Sequence, residues 1–206
     1  MDFQKLIEFR HSANNFLPNI PITEEDLIPI FNDVKLAPSA YNLQHTEYVV
    51  ITNPELKEQI KEAAYGQYKV HTATAVIIVT ADRYAYKQTE RLHQGMVALG
   101  MLTEFELNKM IEENHSFYEG RGEPFMKEEA IRNASLSSMF FMLAAKNRGW
   151  DTCPMIGFNA EKVRQLLEIP HTHEIVLMMT IGKEKESSRR LRGYRKPVNE
   201  FVKFLN

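Results

Sequence analysis

Apolar residues recur at helical spacing in three parts of the chain. Residues 3–10 predict a short amphipathic helix, and Thr23 followed by three acidic residues predicts the start of a second helix, which stops before Pro38. The strongest helix is predicted over residues 127–148, with Gly149 at the position where a helix would end. Its broad apolar face is formed by Ile131, Ala134, Leu136, Met139, Phe140, Leu143 and Ala144. We expect this helix to be buried at the centre of the molecule.

Shorter apolar runs predict three β-strands, at residues 48–52, 75–80 and 174–182, the last of them fully buried. Asn53 and Pro54, which follow the first run, are typical of an N-cap and a first helical residue. Strands that alternate with helices in this way predict an α/β or α+β sandwich.

The second half of the chain is less regular. Residues 81–122 are helical in pattern but polar, and residues 119–123 predict a mobile break before the central helix. Asn159 predicts the cap of a short helix. The tail, residues 183–206, is first basic and then apolar. Because a free end rarely carries so many large apolar side chains, we expect the tail to pack on another subunit.

Composition narrows the class of protein. The 206 residues, of which 44% are hydrophobic, predict a single domain over 1–206. A net charge of -2 gives no support for a nucleic-acid partner. Cys153 is the one cysteine and favours a reducing, cytoplasmic location, and no apolar run is long enough to span a membrane. Its own neighbourhood lacks a His-Asp pattern, so we interpret Cys153 as a small buried residue rather than a nucleophile.

Four segments carry polar groups that suit a flat, phosphorylated ring. Arg10-His11-Ser12 fits either cations at a helix C-terminus or a guanidinium that binds phosphate. Residues 38–44 fit either a turn or a set of small amides and hydroxyls for the edge of a ring. Gly157 fits either a tight turn or a close approach of the backbone to a ligand. In the basic tail, Arg195 is the best phosphate candidate and the other cations are expected to form a solvated surface.

Other kinds of site find little support. The histidines do not combine into a metal site, because the pair His171 and His173 has no third ligand at suitable spacing. A glycine-rich phosphate loop is missing from the sequence, which argues against the usual dinucleotide-binding fold.

Six short motifs, in this order, resemble those of the nitroreductase family of flavin mononucleotide (FMN) enzymes. The resemblance spans nearly the whole chain except about residues 83–126. The motifs are Arg10-His11-Ser12, Pro38 to Gln44, Gly66-Gln67, Asn133-Ala134-Ser135, Pro154 to Phe158, and Arg195-Lys196-Pro197. The resemblance implies an α+β sandwich with a central mixed, mainly antiparallel sheet flanked by helices. It also implies a homodimer whose C-terminal extension packs on the partner subunit.

The resemblance also implies roles for individual residues. Arg10, Ser12 and Arg195 would bind the phosphate and ribityl region of FMN, with His11 adding ring or backbone contacts. Gln67 would meet the pyrimidine edge, and Ile156 and Gly157 would supply backbone near flavin N5. Asn133 belongs to the motif that opens the central helix, and we include it among the cofactor residues. From the other subunit, the cofactor would be reached by Pro38, Ser39, Ala40 and Asn42.

One position departs from the family pattern. Many members place a Lys or Arg two residues after the serine of the first motif, and this chain has Asn14 there. A neutral amide stabilises a reduced flavin anion less than a cation does. Lys69, two residues after Gln67, is a candidate to supply that charge.

The function implied by the resemblance is an FMN-dependent NAD(P)H oxidoreductase. NAD(P)H would give hydride to flavin N5 and leave, and a nitroaromatic, quinone or other conjugated acceptor would then take the electrons in a ping-pong cycle. No acid-base side chain need appear, because the cofactor carries the chemistry. The alternative is a flavin-binding protein without turnover. An interaction protein that uses its basic tail explains fewer of the motifs.

Overall fold

The structure is a computed structural model of the chain and describes residues 2–205. This part of the chain forms seven α-helices and four β-strands. The helices are α1 (Phe3–Phe9), α2 (Glu24–Val34), α3 (Pro54–Ala63), α4 (Tyr68–Thr72), α5 (Thr89–Ala98), α6 (Glu104–Asn147) and α7 (Ala160–Leu166). The strands are β1 (Thr46–Ile51), β2 (Ala75–Asp82), β3 (Asp151–Met155) and β4 (His173–Gly182).

The strands form one sheet in the order β1-β2-β4-β3, and each neighbouring pair is antiparallel. The predictions of β1, β2 and β4 are confirmed, although the first half of β4 is only partly buried. β3 is the strand that the sequence pattern misses. Its residues read as the start of a turn because Pro154 suggests a break, yet β3 is the outer neighbour of β4, and an edge strand tolerates a proline.

The sheet is covered by helices on both faces, so the predicted α+β sandwich is confirmed. Successive residues of β2 point to opposite faces, as strand geometry requires. Ile77 and Val79 pack in one cluster with α2 and α6, whereas Val76 and Ile78 pack in another with α3, α4 and α7. Because β2 is buried on both faces, its sequence is a continuous apolar run rather than an alternating one.

Helix α6 is much longer than the helix predicted over residues 127–148. It begins at Glu104, and the predicted break before the central helix is a kink at Gly122, where φ is +75°. The sequence suggests two helices because the first half packs on α5 and a separate aromatic cluster, while the second half packs on the sheet. The predicted end is confirmed: Gly149 has φ +75°, and Trp150 N donates to Ala145 O, which closes a Schellman motif.

Residues 83–126 and the loop before β1 share a small second core. Tyr86 and Tyr118 are stacked with ring centroids 5.1 Å apart, and Leu43 packs in the same cluster. The loop before β1 therefore packs on aromatic side chains of this second core. Within residues 2–205 no helix is long and apolar enough to cross a membrane.

Candidate functional site

The segment that carries Arg10 and Ser12 runs along the outer edge of β3. Arg10 is the C-cap of α1 and has an extended backbone, so the chain leaves the helix there. Ser12 then forms a parallel bridge with Thr152, and Ala13 N donates to Thr152 O at 3.0 Å. This pairing places the first predicted motif next to the strand that leads to Ile156 and Gly157.

Three guanidinium groups gather at the end of α1. The Nη2 atom of Arg192 donates to Glu8 O and Arg10 O, at 2.7 Å each. Burial, and then the positive charges of Arg192 and Arg195, lower the pKa of Arg10. Within residues 2–205 no carboxylate forms an ion pair with any of the three. Such uncompensated like charge favours the binding of an anion.

Arg195 is exposed and lies on the tail. Its Nη1 atom donates to Gly193 O at 2.9 Å and to Tyr194 O at 3.0 Å, both in its own segment. Because these partners are neutral carbonyls, the positive charge of Arg195 is not cancelled by them.

His11 and Asn14 make local contacts. The His11 ring lies between Phe9 O, 2.7 Å from Nδ1, and the Glu184 carboxylate, 2.6 Å from Nε2. Asn14 Nδ2 donates to Ser12 O at 3.4 Å. Both side chains therefore brace the segment that carries Arg10 and Ser12.

Gln67 is brought to Gly157. Its Nε2 atom donates to Gly157 O at 2.6 Å, although the two residues are ninety positions apart. Gln67 stands at the start of α4, a short helix that the sequence pattern does not reveal, and Ile156 beside Gly157 is 82% exposed. Lys69, in the first turn of α4, is half-buried, and its side chain makes no hydrogen bond or ion pair with the residues that the structure describes.

The loop of residues 38–44 is held by α6. Ala40 N donates to Asn133 Oδ1 at 2.8 Å, and the Asn133 amide is oriented in turn by Glu129. Tyr41 and Asn42 have φ values of 50° and 55°, a left-handed conformation that is costly for residues other than glycine. Such conformations persist where surrounding contacts impose them, and they cluster at binding sites.

The loop ends in a small cavity on the same side of the sheet as α2. Its volume is about 270 Å³, and Pro38, Ser39 and Asn133 are among the residues that line it. A larger cavity of about 890 Å³ lies at another end of the sheet, and its lining includes none of the predicted site residues.

The predicted residues form two groups at opposite corners of the sheet. Arg10 to Asn14, Gln67, Lys69 and the turn after β3 lie at the β3 edge, whereas the loop of residues 38–44 leads into β1 at the other edge. With strands about 4.8 Å apart, β1 and β3 are separated by roughly 14 Å. The segment of Arg10 to Asn14 also lies at the opposite end of the sheet from the loop, since Ser12 pairs near the start of β3, where β4 ends, and β1 starts where β4 begins.

Sequence reasoning missed three residues near Arg10 and His11. Glu184 contacts His11, Arg189 contacts Glu184, and Arg192 contacts the end of α1, although the tail cations were expected to be solvated. The contacts of Glu184 and Arg192 leave no signal in the sequence spacing, because their partners are more than 170 residues away and meet them only when the segment after β4 pairs with residues 15–17.

Comparison with known proteins agrees with the motifs. The family model described as the nitroreductase family matches residues 7–183. The NAD(P)H nitroreductase MhqN of Bacillus subtilis, so named, is 55% identical over 204 residues and 99% of both chains. The crystal structure of the Bacillus subtilis nitroreductase ydfN superposes with a TM-score of 0.97 at 54% identity, over 99% of both chains.

A third similar protein has been solved with a cofactor. This nitroreductase of Exiguobacterium sibiricum is in complex with FMN, and it has a TM-score of 0.92 at 26% identity. The match covers 100% of this chain and 98% of that one. By its family model and its full-length relatives, the chain belongs to the nitroreductase family of oxidoreductases.

Proposed function

We propose that this protein is an FMN-dependent NAD(P)H oxidoreductase that works as a homodimer. The observation that carries the proposal is the group of three guanidiniums at the end of α1, contributed by Arg10, Arg192 and Arg195 and paired with no carboxylate in the described chain. A phosphate monoester carries the charge that would neutralise them.

The residues around this group fit the rest of FMN. Ser12 offers a hydroxyl beside Arg10, and His11 and Asn14 brace the same segment. Gln67 and Gly157 present an amide and an exposed backbone turn, which suit the polar edge of the flavin ring. The ring would lie beside the exposed Ile156, with Lys69 as the nearest cation of α4, taking the place of the basic residue that Asn14 replaces.

The second half of the site would come from another copy of the chain. Pro38, Ser39, Ala40 and Asn42 lie across the sheet from Arg10, so one copy cannot bring both groups to a single ring of FMN. Asn133 would position the loop, by holding the Ala40 amide in place. In a two-fold dimer each chain completes the site of the other.

Exposed apolar surface supports the dimer. Phe201, Phe204 and Leu205 of the tail are 65%, 80% and 83% exposed in a single chain. Among described residues β1 pairs on one side alone, and apolar side chains of α2 line a groove of about 420 Å³ beside it. An unpaired strand edge next to an apolar groove indicates a surface that is buried against another chain.

When bound, FMN supplies two-electron chemistry, accepting hydride from NAD(P)H and later reducing a nitroaromatic, quinone or other conjugated acceptor. The protein itself would hold the ring in one orientation and exclude other orientations. Because Ile156 and Gly157 are exposed, a ring face beside them would be open to NAD(P)H and the acceptor. NAD(P)H and the acceptor would share this face in turn, which predicts a ping-pong cycle.

A titration of the apoprotein with FMN tests the proposal. We expect one FMN per chain and steady consumption of NAD(P)H when a quinone is added. FMN binding without consumption would favour the alternative, a flavin-binding protein without turnover. Failure to bind FMN would reject both.

We place the protein in the cytoplasm, and we propose that each chain is a single domain. NAD(P)H is a cytoplasmic reductant, and the free, buried Cys153 is compatible with reducing surroundings.

A further inference from the structure

A buried carboxylate joins the two segments that carry the phosphate candidates. Glu184 follows β4 directly, and its side chain is 0% exposed. Its Oε2 atom accepts from His11 Nε2 at 2.6 Å and from Arg189 Nε at 3.0 Å. His11 is next to Arg10, and Arg189 begins the tail that leads to Arg195. One oxygen atom therefore ties both segments to the end of the sheet.

The backbone that carries this carboxylate is held firmly. Glu184 N donates to Asp151 Oδ2 at 2.9 Å, and Asp151 Oδ1 accepts from Lys146 Nζ of α6 at 2.6 Å. Leu17 N donates to Lys183 O at 2.8 Å, so the backbone before Glu184 is paired with the N-terminal segment. These contacts leave Glu184 little freedom to follow its partners if they move.

The His11 ring is set by two acceptors. One nitrogen faces the carbonyl of Phe9 and the other faces the Glu184 carboxylate, and both of these groups can only accept. The two contacts together fix the orientation of the ring. The hydrogen bond to Glu184 likewise is the largest cause that raises the pKa of Arg189.

A second contact acts on the same tail. Arg192 donates to the carbonyls of Glu8 and Arg10, and so fixes the tail to the end of α1 three residues before Arg195. Glu184 and Arg192 together hold the tail at two points, on either side of the exposed Arg190.

We propose that Glu184 is a positioning residue, which sets Arg10 and Arg195 at the spacing that a phosphate monoester needs without contacting the phosphate. A carboxylate near an anion site would ordinarily weaken binding by repulsion. Here it is buried and already shared by His11 and Arg189, so its contribution is to hold the segments that carry Arg10 and Arg195. This inference rests on the proposed function, because it takes FMN as the ligand of the site.

Glu184→Gln separates positioning from charge. The substitution removes one negative charge, so an effect of charge alone would tighten FMN binding. Positioning predicts the opposite sign: FMN affinity falls about tenfold or more, comparable with the roughly 10- to 100-fold loss of metal affinity when a residue that orients a metal ligand is removed. The matched control is Glu186→Gln, which makes the same charge change two residues away on an exposed side chain. We expect its FMN affinity to be unchanged or slightly higher.

The ratio of FMN affinity to riboflavin affinity excludes a merely structural effect. Riboflavin lacks the phosphate, so general destabilisation lowers both affinities alike, whereas loss of positioning lowers that for FMN alone and reduces the ratio. An unchanged ratio in Glu184→Gln would overturn the inference. A wild-type protein that does not prefer FMN would instead overturn the phosphate site of the proposed function.

A second pair of variants serves if Glu184→Gln does not fold. Arg189→Ala removes the exposed partner of Glu184, and Arg190→Ala removes the neighbouring charge, whose side chain makes no hydrogen bond or ion pair within residues 2–205. We expect the ratio of FMN to riboflavin affinity to fall in Arg189→Ala and to stay near the wild-type value in Arg190→Ala. Equal ratios in the two variants would contradict the positioning role.

Discussion

Arg10 is half-buried between two other guanidinium groups, and its surroundings are set by residues at both ends of the chain. Arg10, Gln67 and Arg195 could be identified as candidates from the sequence, because their residue types and the order of the motifs suffice. The carboxylate of Glu184 could not, since a charged residue after a strand is ordinarily exposed. Its burial depends on pairing with His11, which is a property of the fold.

The first prediction concerns Arg195. We expect Arg195→Ala to weaken FMN binding about tenfold to a hundredfold, the usual result of losing a charge-assisted hydrogen bond. FMN titration of the apoprotein, monitored by flavin fluorescence, measures the change. Arg190→Ala is the control for the loss of charge. Equal FMN affinities in wild type and Arg195→Ala would remove Arg195 from the site.

The second prediction concerns His45. Both ring nitrogens of this buried residue lack a hydrogen-bond partner in the described chain, and burial lowers the pKa of His45 despite the opposing charges of Glu129 and Asp82. The unfolded state then binds the proton more readily than the folded state, so the free energy of unfolding falls as the pH drops below the ordinary value of 6.5.

His45→Gln should make this fall shallower, because the substituted side chain does not titrate. Urea unfolding at a series of pH values measures the slope, and His171→Gln is the control, since His171 is exposed. A slope that His45→Gln leaves unchanged would exclude His45 as a source of the acid sensitivity.

At the scale of elements, the sequence predicts those whose pattern is uniform. β2 is one continuous apolar run and α2 carries a single apolar face, and the capping box at Thr23 and Asp26 marks the start of α2. The pattern does not predict β3, because Pro154 suggests a break in what is an edge strand. It also does not predict the full length of α6, because the two halves of this helix pack against different cores. Tertiary contacts decide both cases, and a single sequence does not display them.

The third prediction concerns the crossing between β4 and the N-terminal segment. A Cβ atom at Gly182 would come within 2.7 Å of the Phe16 ring, so Gly182→Ala must push that segment away from the sheet. We expect the free energy of unfolding to fall by about 1–3 kcal/mol, as for other overpacked cores. FMN affinity should fall as well, because Phe16 lies on the segment that begins at Arg10.

Gly95→Ala is the matched control. Gly95 lies within α5 with nothing within 4 Å of the added atom. Alanine there should raise the free energy of unfolding by about 0.5–1 kcal/mol, because glycine is the poorer helix former. Urea unfolding compares the two variants. Equal effects of Gly182→Ala and Gly95→Ala would show that the Phe16 contact is unimportant.

At the scale of the whole molecule, two features of a single chain remain uncovered, the apolar tail and the edge of β1. The apolar composition of the tail indicates an interface from sequence alone. The division of the candidate site between two groups of residues is implied by the family resemblance, whereas the residue patterns alone do not give it, because it depends on which strands form the edges of the sheet.

The fourth prediction is that removal of the tail from Val198 onward lowers both dimer stability and flavin retention. The truncated chain keeps Arg195, so a loss of FMN would come from the interface rather than from the phosphate contact. Sedimentation velocity across a dilution series measures the dimer, and absorbance in the flavin band measures retention. A full-length protein that holds FMN as a monomer would contradict the split site.

The central claim is that flavin held at the Arg10 corner is reduced by NAD(P)H and then oxidised by a separate acceptor. Its most direct test is anaerobic mixing of the FMN-loaded protein with NADH or NADPH, followed by addition of a quinone, while the visible flavin band is recorded. We expect one of the nucleotides to bleach the band and the quinone to restore it, with parallel double-reciprocal plots in steady state. A band that neither nucleotide bleaches would contradict the claim, and intersecting plots with a ternary complex would reject the shared face.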